Sequence, residues 1–239
     1  RIEDVSEPVA ATQRAAAMVA EGNAEALMKG SLHTDELMSV IVSRAAGLRT
    51  ARRISHVFVM DIPDHDRLLL ITDAAVNIAP DLKVKADIVR NAIDVAHAIG
   101  IAEPRVALLS AVETVNSGIP STVDAAALRE MARRGEITGG IVDGPLAFDN
   151  AISAEAARIK GISSPVSGAV DILVVPAFEA GNILYKSLVY LGAALAAGVV
   201  LGTRVPVILT SRADNPACRI ASAAVACLLA HHRRKGGAA

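Results

Sequence analysis

Ser211, Arg212 and Asp214 stand together where an apolar run that is typical of a strand ends, and Asn215-Pro216 follows at once. An asparagine followed by a proline is a strong signal for the first turn of a helix. The free amides of that turn would attract an anion, and the Arg212 guanidinium offers a planar set of donors suited to phosphate. The Ser211 hydroxyl can donate to a developing oxyanion or to a thiolate. The same pattern also fits a capping serine beside a surface arginine, so this loop alone leaves both interpretations open.

A second polar loop, Lys29-Gly30-Ser31, comes directly after a predicted strand, and His33 follows within it. Glycine lets a backbone approach a ligand closely, and lysine favours an anion. The spacing is not that of a Walker phosphate loop. The loop is therefore weak support for phosphate binding by itself, and His33 is either functional or an ordinary hydrogen-bonding loop residue.

Further polar loops follow other predicted strands, with Asp143 at the start of one and Asn182 in another. Parallel strands bring such loops together at their carboxyl ends, where open α/β sheets bind ligands. We therefore expect one lined crevice. Arg49, Arg52 and Arg53 lie between a predicted helix and a strand, where they form either a solvated helix end or a clamp for a polyanion.

The composition narrows the possible classes of protein. Of 239 residues, 52% are hydrophobic but only five are aromatic, so small aliphatic side chains must fill the core. Aliphatic strands favour parallel α/β layers, and scarce aromatics argue against a binder of single-stranded nucleic acid. No apolar stretch reaches the length of a membrane span, and no secretory leader is evident, so we expect a cytoplasmic protein. The net charge of -1 gives no overall field for polyanions.

Short aliphatic runs alternate with amphipathic stretches, which predicts βαβ units and an α/β fold with mainly parallel sheets. The predicted strands are Glu25–Met28, Ile54–Met60, Leu68–Thr72, Val106–Leu109, Gly140–Val142, Asp171–Val175, Val199–Leu201 and Val207–Thr210. The predicted helices are Val9–Ala20, Thr34–Ala46, Leu82–Ile99, Val123–Arg133, Ala147–Lys160, Asn182–Ala196 and Ala217–Ala230.

Four segments in order resemble the phosphate acetyl/butyryltransferase family: Leu27–Met38, Ile141–Ala151, Gly181–Lys186 and Thr210–Asp214. The residues of these segments are most similar to those of the butyryltransferase-like branch of the family. They also resemble the C-terminal halves of bifunctional enoyl-CoA hydratase/phosphate acetyltransferases. The resemblance implies two α/β domains of the isocitrate/isopropylmalate dehydrogenase-like type flanking a cleft, and a homodimer. The first domain would comprise 1–62 plus 202–239, with the family's earliest units missing before residue 1. The second would comprise 63–201.

The resemblance also implies an activity: transfer of a short acyl group between coenzyme A (CoA) and inorganic phosphate. CoA would be a substrate, with no tightly bound cofactor, no metal, and no nucleic-acid or membrane partner. The residues implied as catalytic are Ser211, Arg212 and Asp214. Those implied as substrate-binding are Lys29, Gly30, Ser31, His33, Asp143, Asn182 and Lys186. The expected mechanism is direct attack of the CoA thiolate on an acyl phosphate within a ternary complex.

One departure concerns the base that deprotonates the thiol. Acetyltransferases of the family carry an aspartate seven residues after the serine, and here that position is Cys218. The base is therefore unassigned among Asp214, Asp143 and His33. The main alternative function is a non-catalytic module that holds CoA or a phosphorylated metabolite. A dehydrogenase is disfavoured because nicotinamide-binding and metal-carboxylate signatures are missing.

Overall fold

The computed structural model of the chain describes residues 2–209 and 215–236. The chain divides into two compact units, one formed by Arg1–Ile54 with Ala197–Ala239 and the other by Ser55–Ala196. We call them the discontinuous unit and the central unit. The domain boundaries expected from the sequence, at 62/63 and 201/202, stay a prediction.

In its described residues, the discontinuous unit combines three helices with three strands. Its helices are α1 (Pro8–Ala20), α2 (Thr34–Ile41) and α8 (Pro216–Arg234), and its strands are β1 (Leu27–Met28), β8 (Val207–Ile208) and most of β7 (Leu195–Leu201). Helices α1 and α8 both begin with proline, whose fixed φ suits a first helical turn. The strand order is β1-β8-β7, with β1 parallel and β7 antiparallel to β8.

Helix α8 is fixed against this sheet by a buried serine. The Ser222 hydroxyl accepts a hydrogen bond from the Gly198 amide at 2.9 Å and donates to the Cys218 carbonyl at 2.8 Å. At the other end of the helix, Arg234 forms an ion pair with Glu25 at 2.8 Å. These contacts hold the amino end of α8 in a set position relative to β7.

The central unit is a five-stranded sheet with helices on its faces. The strands are β2 (Ser55–Asp61), β3 (Leu69–Thr72), β4 (Arg105–Leu109), β5 (Ile141–Leu146) and β6 (Ile172–Val174). The helices are α3 (Leu82–Ala98), α4 (Pro120–Arg133), α5 (Phe148–Ile152), α6 (Ala154–Ile159) and α7 (Phe178–Tyr190). The strand order is β2-β3-β6-β4-β5, and every pair except β2–β3 is parallel.

The core of the central unit is almost wholly aliphatic. All of β3 and β6 is buried, and α7 packs its Leu184, Tyr185 and Leu188 against residues such as Ile71 and Leu173. Strand β6 inserts between β3 and β4, with α7 contacting β3 and α4 contacting β5. The connections that leave β6 and β4 therefore diverge, which is the arrangement beside which open α/β sheets commonly bind ligands.

The prediction of an α/β fold with mainly parallel strands is confirmed, but several boundaries were wrong. Helix α2 ends five residues before the predicted Ala46, and the predicted helix Ala147–Lys160 is two helices that meet at Ser153. The predicted helix Asn182–Ala196 begins at Phe178 and ends at Tyr190, because its Ala-rich end belongs to strand β7. That segment is rich in alanine and glycine, and its sequence therefore has no hydrophobic periodicity that would distinguish a helix from a strand.

Candidate functional site

Two predicted site loops leave the sheet of the discontinuous unit at the same edge. Strands β1 and β8 are parallel neighbours, with Met28 opposite Ile208, and the Lys29 amide donates to the Ile208 carbonyl at 3.0 Å. The loop that follows β1 and the segment that follows β8 therefore begin side by side. We call this place the β1/β8 edge, comprising Lys29–His33, Leu209 and Asn215–Cys218.

Lys29 is the most unusual residue of the β1/β8 edge. It is only 6% exposed, and its ammonium donates to the Leu32 carbonyl at 3.3 Å. Among the described residues, no carboxylate pairs with this ammonium. A buried positive charge that meets a neutral oxygen alone is costly, and an anion bound beside it would offset that cost.

The amino end of α8 forms the other side of this edge. As predicted, Asn215 caps the helix: its Oδ1 accepts a hydrogen bond from the Cys218 amide at 2.9 Å, and Pro216 occupies the first turn. The helix is nineteen residues long, and its dipole therefore favours negative charge at this end. Cys218 lies half-buried in that first turn.

The remaining residues of the first loop are open to solvent. Gly30, Ser31 and His33 are all exposed, and a side chain added at Gly30 would meet nothing within 4 Å. The His33 amide donates to Glu36 Oε2 at 3.0 Å, which fixes the start of α2. The backbone at Gly30 is thus accessible to a ligand, whereas the loop end at His33 is anchored.

Ser211, Arg212 and Asp214, which the resemblance implies as catalytic, lie outside the described residues. Their roles stay a prediction. The described residues on either side are Leu209, directly after β8, and Asn215, at the start of α8.

Asp143 was predicted to begin a loop, and this placement was wrong. It lies within β5, opposite Ala107, and its carboxylate is 3.6 Å from the Arg129 guanidinium. The strand continues through Gly144, where an added Cβ would come within 2.7 Å of the Leu108 carbonyl oxygen. The glycine here permits the close approach of two strands. Substrate binding by Asp143 stays a prediction.

Asn182 and Lys186 lie on α7 in the central unit. The Asn182 side-chain amide donates to the Ala74 carbonyl at 3.5 Å, and Lys186 is exposed. Their substrate-binding roles stay predictions. Of the three arginines, Arg49 and Arg53 are exposed and Arg52 is half-buried, all within the discontinuous unit.

A cavity of about 650 Å³ lies between α1 and α2 in the discontinuous unit. Its lining is small and uncharged, with Ala16, Ala17 and Ala20 on one side and Ser39, Val40 and Ser43 on the other. This cavity differs chemically from the β1/β8 edge, because none of its lining residues carries a charge that could bind an anion.

Sequence reasoning missed Asp73, the residue after β3. It is 3% exposed, and its carboxylate accepts hydrogen bonds from the amides of Ala75 and Val76 at 3.0 Å and of Asn77 at 3.2 Å. The Asn77 side chain donates to the same carboxylate at 2.5 Å. Asp73 therefore shapes the loop at the carboxyl end of β3. The one feature of the sequence that could have indicated this role is the position of Asp73 directly after an aliphatic run.

His56 was also missed. It is 1% exposed on β2, next to the end of β3, and the Thr72 hydroxyl donates to its carbonyl at 2.8 Å. Its ring lies 4.3 Å from that of Phe58, and its Nδ1 has no partner among the described residues. Burial lowers the pKa of His56 to about 4, although the nearby Asp73 charge acts to raise it. The imidazole is therefore neutral in the folded protein at neutral pH.

A polar network ties the loop after β4 to helices α5 and α6. Glu113 accepts hydrogen bonds from the Asn150 side chain and from Lys160, and Lys160 also pairs with Asp149 at 2.8 Å. Burial acts to raise the pKa of Glu113, but hydrogen bonds from its backbone amide, Lys160 and Asn150 lower it overall. The network keeps Glu113 ionised and the loop in place.

Within residues 2–209 and 215–236, no group of acidic, histidine and cysteine side chains could hold a metal ion. In the same residues, no helix is long and apolar enough to cross a membrane.

Comparison with known proteins decides the family. The sequence profile described as phosphate acetyl/butaryl transferase matches residues 1–227. The chain belongs to the phosphate acetyl/butyryltransferase family. The prediction made from the four segments is thus confirmed, and with it the assignment to an acyltransferase.

Individual relatives agree with the family assignment. The chain is 64% identical to the phosphate acetyltransferase of Rhizobium meliloti over 98% of its own length and 74% of that protein. It is 57% identical to the phosphate acetyltransferase of Rickettsia felis over 94% of its length, but spans only 64% of that relative. A branched-chain phosphotransacylase from Enterococcus faecalis superposes with a TM-score of 0.87 at 39% identity, covering 95% of this chain and 82% of that one.

A more distant structure supports the dehydrogenase-like fold alone. The 4-hydroxythreonine-4-phosphate dehydrogenase of Klebsiella pneumoniae superposes with a TM-score of 0.52 at 12% identity, covering 92% of this chain and 70% of that one. The shared architecture agrees with the predicted fold class.

The state of His56 predicts how stability depends on pH. Because the folded pKa of about 4 lies below the unfolded value of 6.5, the unfolded chain binds more protons between these values. Stability is therefore full above pH 6.5 and is lost as pH falls through 4, by about 3 kcal/mol between pH 8 and pH 4. Urea denaturation at a series of pH values between 8 and 4 measures this change in the free energy of unfolding.

The variant His56→Leu, which cannot ionise at this position, should flatten that part of the pH dependence whatever its stability at pH 8. The control His231→Gln, at an exposed position on α8, should keep the wild-type slope. An unchanged slope in His56→Leu would refute the assignment.

Proposed function

We propose that the β1/β8 edge binds the phosphate of an acyltransferase that exchanges short acyl groups between CoA and inorganic phosphate. The observation that carries this proposal is the buried Lys29 ammonium, which no described carboxylate neutralises. Lys29 follows β1, the parallel neighbour of β8, and α8 follows β8 in the chain and contacts it. Two sources of positive potential at one edge suit a small anion. The family assignment supports phosphate as that anion.

The chemistry we propose is a direct transfer in a ternary complex. The CoA thiolate attacks the carbonyl carbon of an acyl phosphate, the C–S bond forms, and the C–O bond to phosphate breaks. The leaving phosphate takes the electron pair and is neutralised by Lys29, by the amides of α8 and by Arg212. Alignment of the two reactants supplies much of the acceleration. The Ser211 hydroxyl donates to the oxyanion of the tetrahedral intermediate.

The proton of the CoA thiol goes to a base, and we propose that this base is either His33 or Asp214. Asp143 is the weaker candidate, because its carboxylate faces Arg129 at 3.6 Å. A thiol with a pKa of about 8.5 is already a few per cent ionised at neutral pH, so the base need not be strong. Cys218 adds no carboxylate at the start of α8.

CoA enters this scheme as a substrate rather than as a resident cofactor, and the acyl groups range from acetyl to branched-chain. The acetyltransferase and branched-chain phosphotransacylase relatives support that range. Each methylene in an acyl pocket changes discrimination by only about 1–3 kcal/mol. We further propose a homodimer in the cytoplasm, a reducing compartment that suits the free Cys218 and Cys227.

Lys29→Met tests phosphate binding. The Michaelis constant for phosphate in the acyl-CoA to acyl-phosphate direction should rise about tenfold or more, since a charge-assisted hydrogen bond is worth about 1.5–3 kcal/mol. The Michaelis constant for acyl-CoA should change little. Urea denaturation should show no loss of folding stability, because an uncompensated buried charge is removed.

Lys83→Met on α3 is the matched control, since it removes an exposed lysine and should leave both constants unchanged. A phosphate constant that is the same in Lys29→Met and in the wild type would contradict the placement of the anion. A chain that binds CoA but releases none from acyl-CoA on addition of phosphate or arsenate would instead support a non-catalytic module.

Direct transfer predicts that no covalent acyl-enzyme accumulates. Incubation with acyl phosphate in the absence of CoA should leave the intact mass of the protein unchanged. An added acyl group that maps to Ser211, and that is discharged when CoA is supplied, would contradict the ternary complex.

A further inference from the structure

The loop that follows β3 is organised around one buried carboxylate. We call this segment, Asp73–Asp81, the β3 loop. Asp73 is 3% exposed, and each of its two oxygens accepts two hydrogen bonds. The donors are the backbone amides of Ala75, Val76 and Asn77 and the Asn77 side chain. A carboxylate offers about four acceptor positions, so the loop itself occupies those of Asp73. The carboxylate therefore shapes the loop and is not available to a ligand.

The β3 loop in turn holds the amino end of α7. The Phe178 amide, at the start of α7, donates to the Ile78 carbonyl at 3.1 Å. Gly181 lies so close to Ala74 that an added Cβ would approach the Ala74 Cβ within 2.8 Å. The Asn182 side-chain amide lies 3.5 Å from the Ala74 carbonyl oxygen. The first turn of α7 therefore takes its position from the β3 loop.

The next turn of α7 is fixed by an aromatic stack. Tyr185 lies parallel to Phe58 of β2, with ring centroids 3.8 Å apart and an angle of 4° between the ring planes. The rotation of α7 about its axis is therefore set by packing. Asn182 and Lys186, four residues apart, share one row on the helix. A displacement of the β3 loop would move Asn182 most, because this residue lies at the end of α7 that the loop holds.

The chemistry of Asn182 suits a neutral partner. A side-chain amide has two donor hydrogens and one acceptor oxygen, and a contact of 3.5 Å to Ala74 is long for a hydrogen bond. Asn182 is half-buried, so part of its amide stays accessible. Phosphate calls for positive charge, whereas the pantetheine arm of CoA carries neutral amides. CoA is therefore the substrate that Asn182 fits.

We propose that Asp73 is a positioning residue for acyl transfer, which acts through the β3 loop to hold Asn182 where its side-chain amide binds an amide of CoA. The inference rests on the acyl transfer proposed above and on the predicted contact of Asn182 with substrate. Asp73 itself touches no substrate. Its part is to set the loop against which the amino end of α7 packs.

Asp73→Asn tests the proposal. The substitution keeps the size of the side chain but places a donor where the two Asn77 donors now find an acceptor, so the β3 loop should shift. The Michaelis constant for CoA, with acyl phosphate as the second substrate, should rise about threefold to tenfold, which is the loss expected for one neutral hydrogen bond. The kcat and the Michaelis constant for acyl phosphate should change less.

A double-mutant cycle separates positioning from stability. Asn182→Ala should raise the Michaelis constant for CoA by a similar factor, and Asp73→Asn should add little to it in the combined variant, because both changes remove the same contact. If the two factors multiply, Asp73 acts independently of Asn182 and the proposal is wrong. A Michaelis constant that Asn182→Ala leaves unchanged would also overturn it, while acyl transfer by that variant would leave the proposed reaction in place.

Asp171→Asn is the matched control. Asp171 lies directly before β6, at the opposite end of the parallel strands, where it is 9% exposed and accepts a hydrogen bond from the Arg105 amide at 2.8 Å. Its replacement should lower the free energy of unfolding in urea and leave the Michaelis constant for CoA unchanged. The same result for Asp73→Asn would reduce Asp73 to a structural residue and overturn the proposal.

A milder variant decides the question if Asp73→Asn does not fold. Asn77→Ala removes one donor from the Asp73 carboxylate and keeps the three backbone hydrogen bonds. It should raise the Michaelis constant for CoA about twofold. No change in that constant would contradict the positioning role, and absence of acyl transfer by the wild type would contradict both this role and the proposed reaction.

Discussion

The proposed phosphate site depends on the buried ammonium of Lys29. At the end of β1, that charge has the Leu32 carbonyl as a hydrogen-bond acceptor and, in the described part of the chain, no carboxylate beside it. The parallel pairing of β1 with β8 brings the amino end of α8 to the same edge. A lysine in this position is costly in an empty site and favourable with an anion bound. The local electrostatics therefore favour an anion before any catalytic side chain is considered.

The two units contribute in different ways. The discontinuous unit supplies the positive edge, which is held by hydrogen bonds of Ser222 and by the cap at Asn215. The central unit supplies a rigid aliphatic sheet whose carboxyl-end loops are shaped by Asp73 and Glu113. Its helix α7 is fixed on one side by Gly181 and Tyr185.

Local signals predicted much of this arrangement. Asn215-Pro216 predicted the start of α8, and short aliphatic runs predicted the strands. Both signals are local, because helix capping and the burial of a strand depend on residues that are close together in the sequence. Asp143 was misplaced because its strand continues through Gly144, where the glycine serves a contact with Leu108 that is distant in sequence. The roles of Asp73 and His56 were missed for the same reason. Their burial arises from strands that pair only in the folded chain.

The most direct test of the central claim is to locate a bound oxyanion in crystals soaked with selenate, whose anomalous signal identifies it. The account predicts a selenate at the β1/β8 edge, within hydrogen-bond distance of Lys29 Nζ and of the first free amides of α8. In crystals of Lys29→Met the same position should lose most of its occupancy. An edge that stays empty at saturating selenate, while another site fills, would contradict the account.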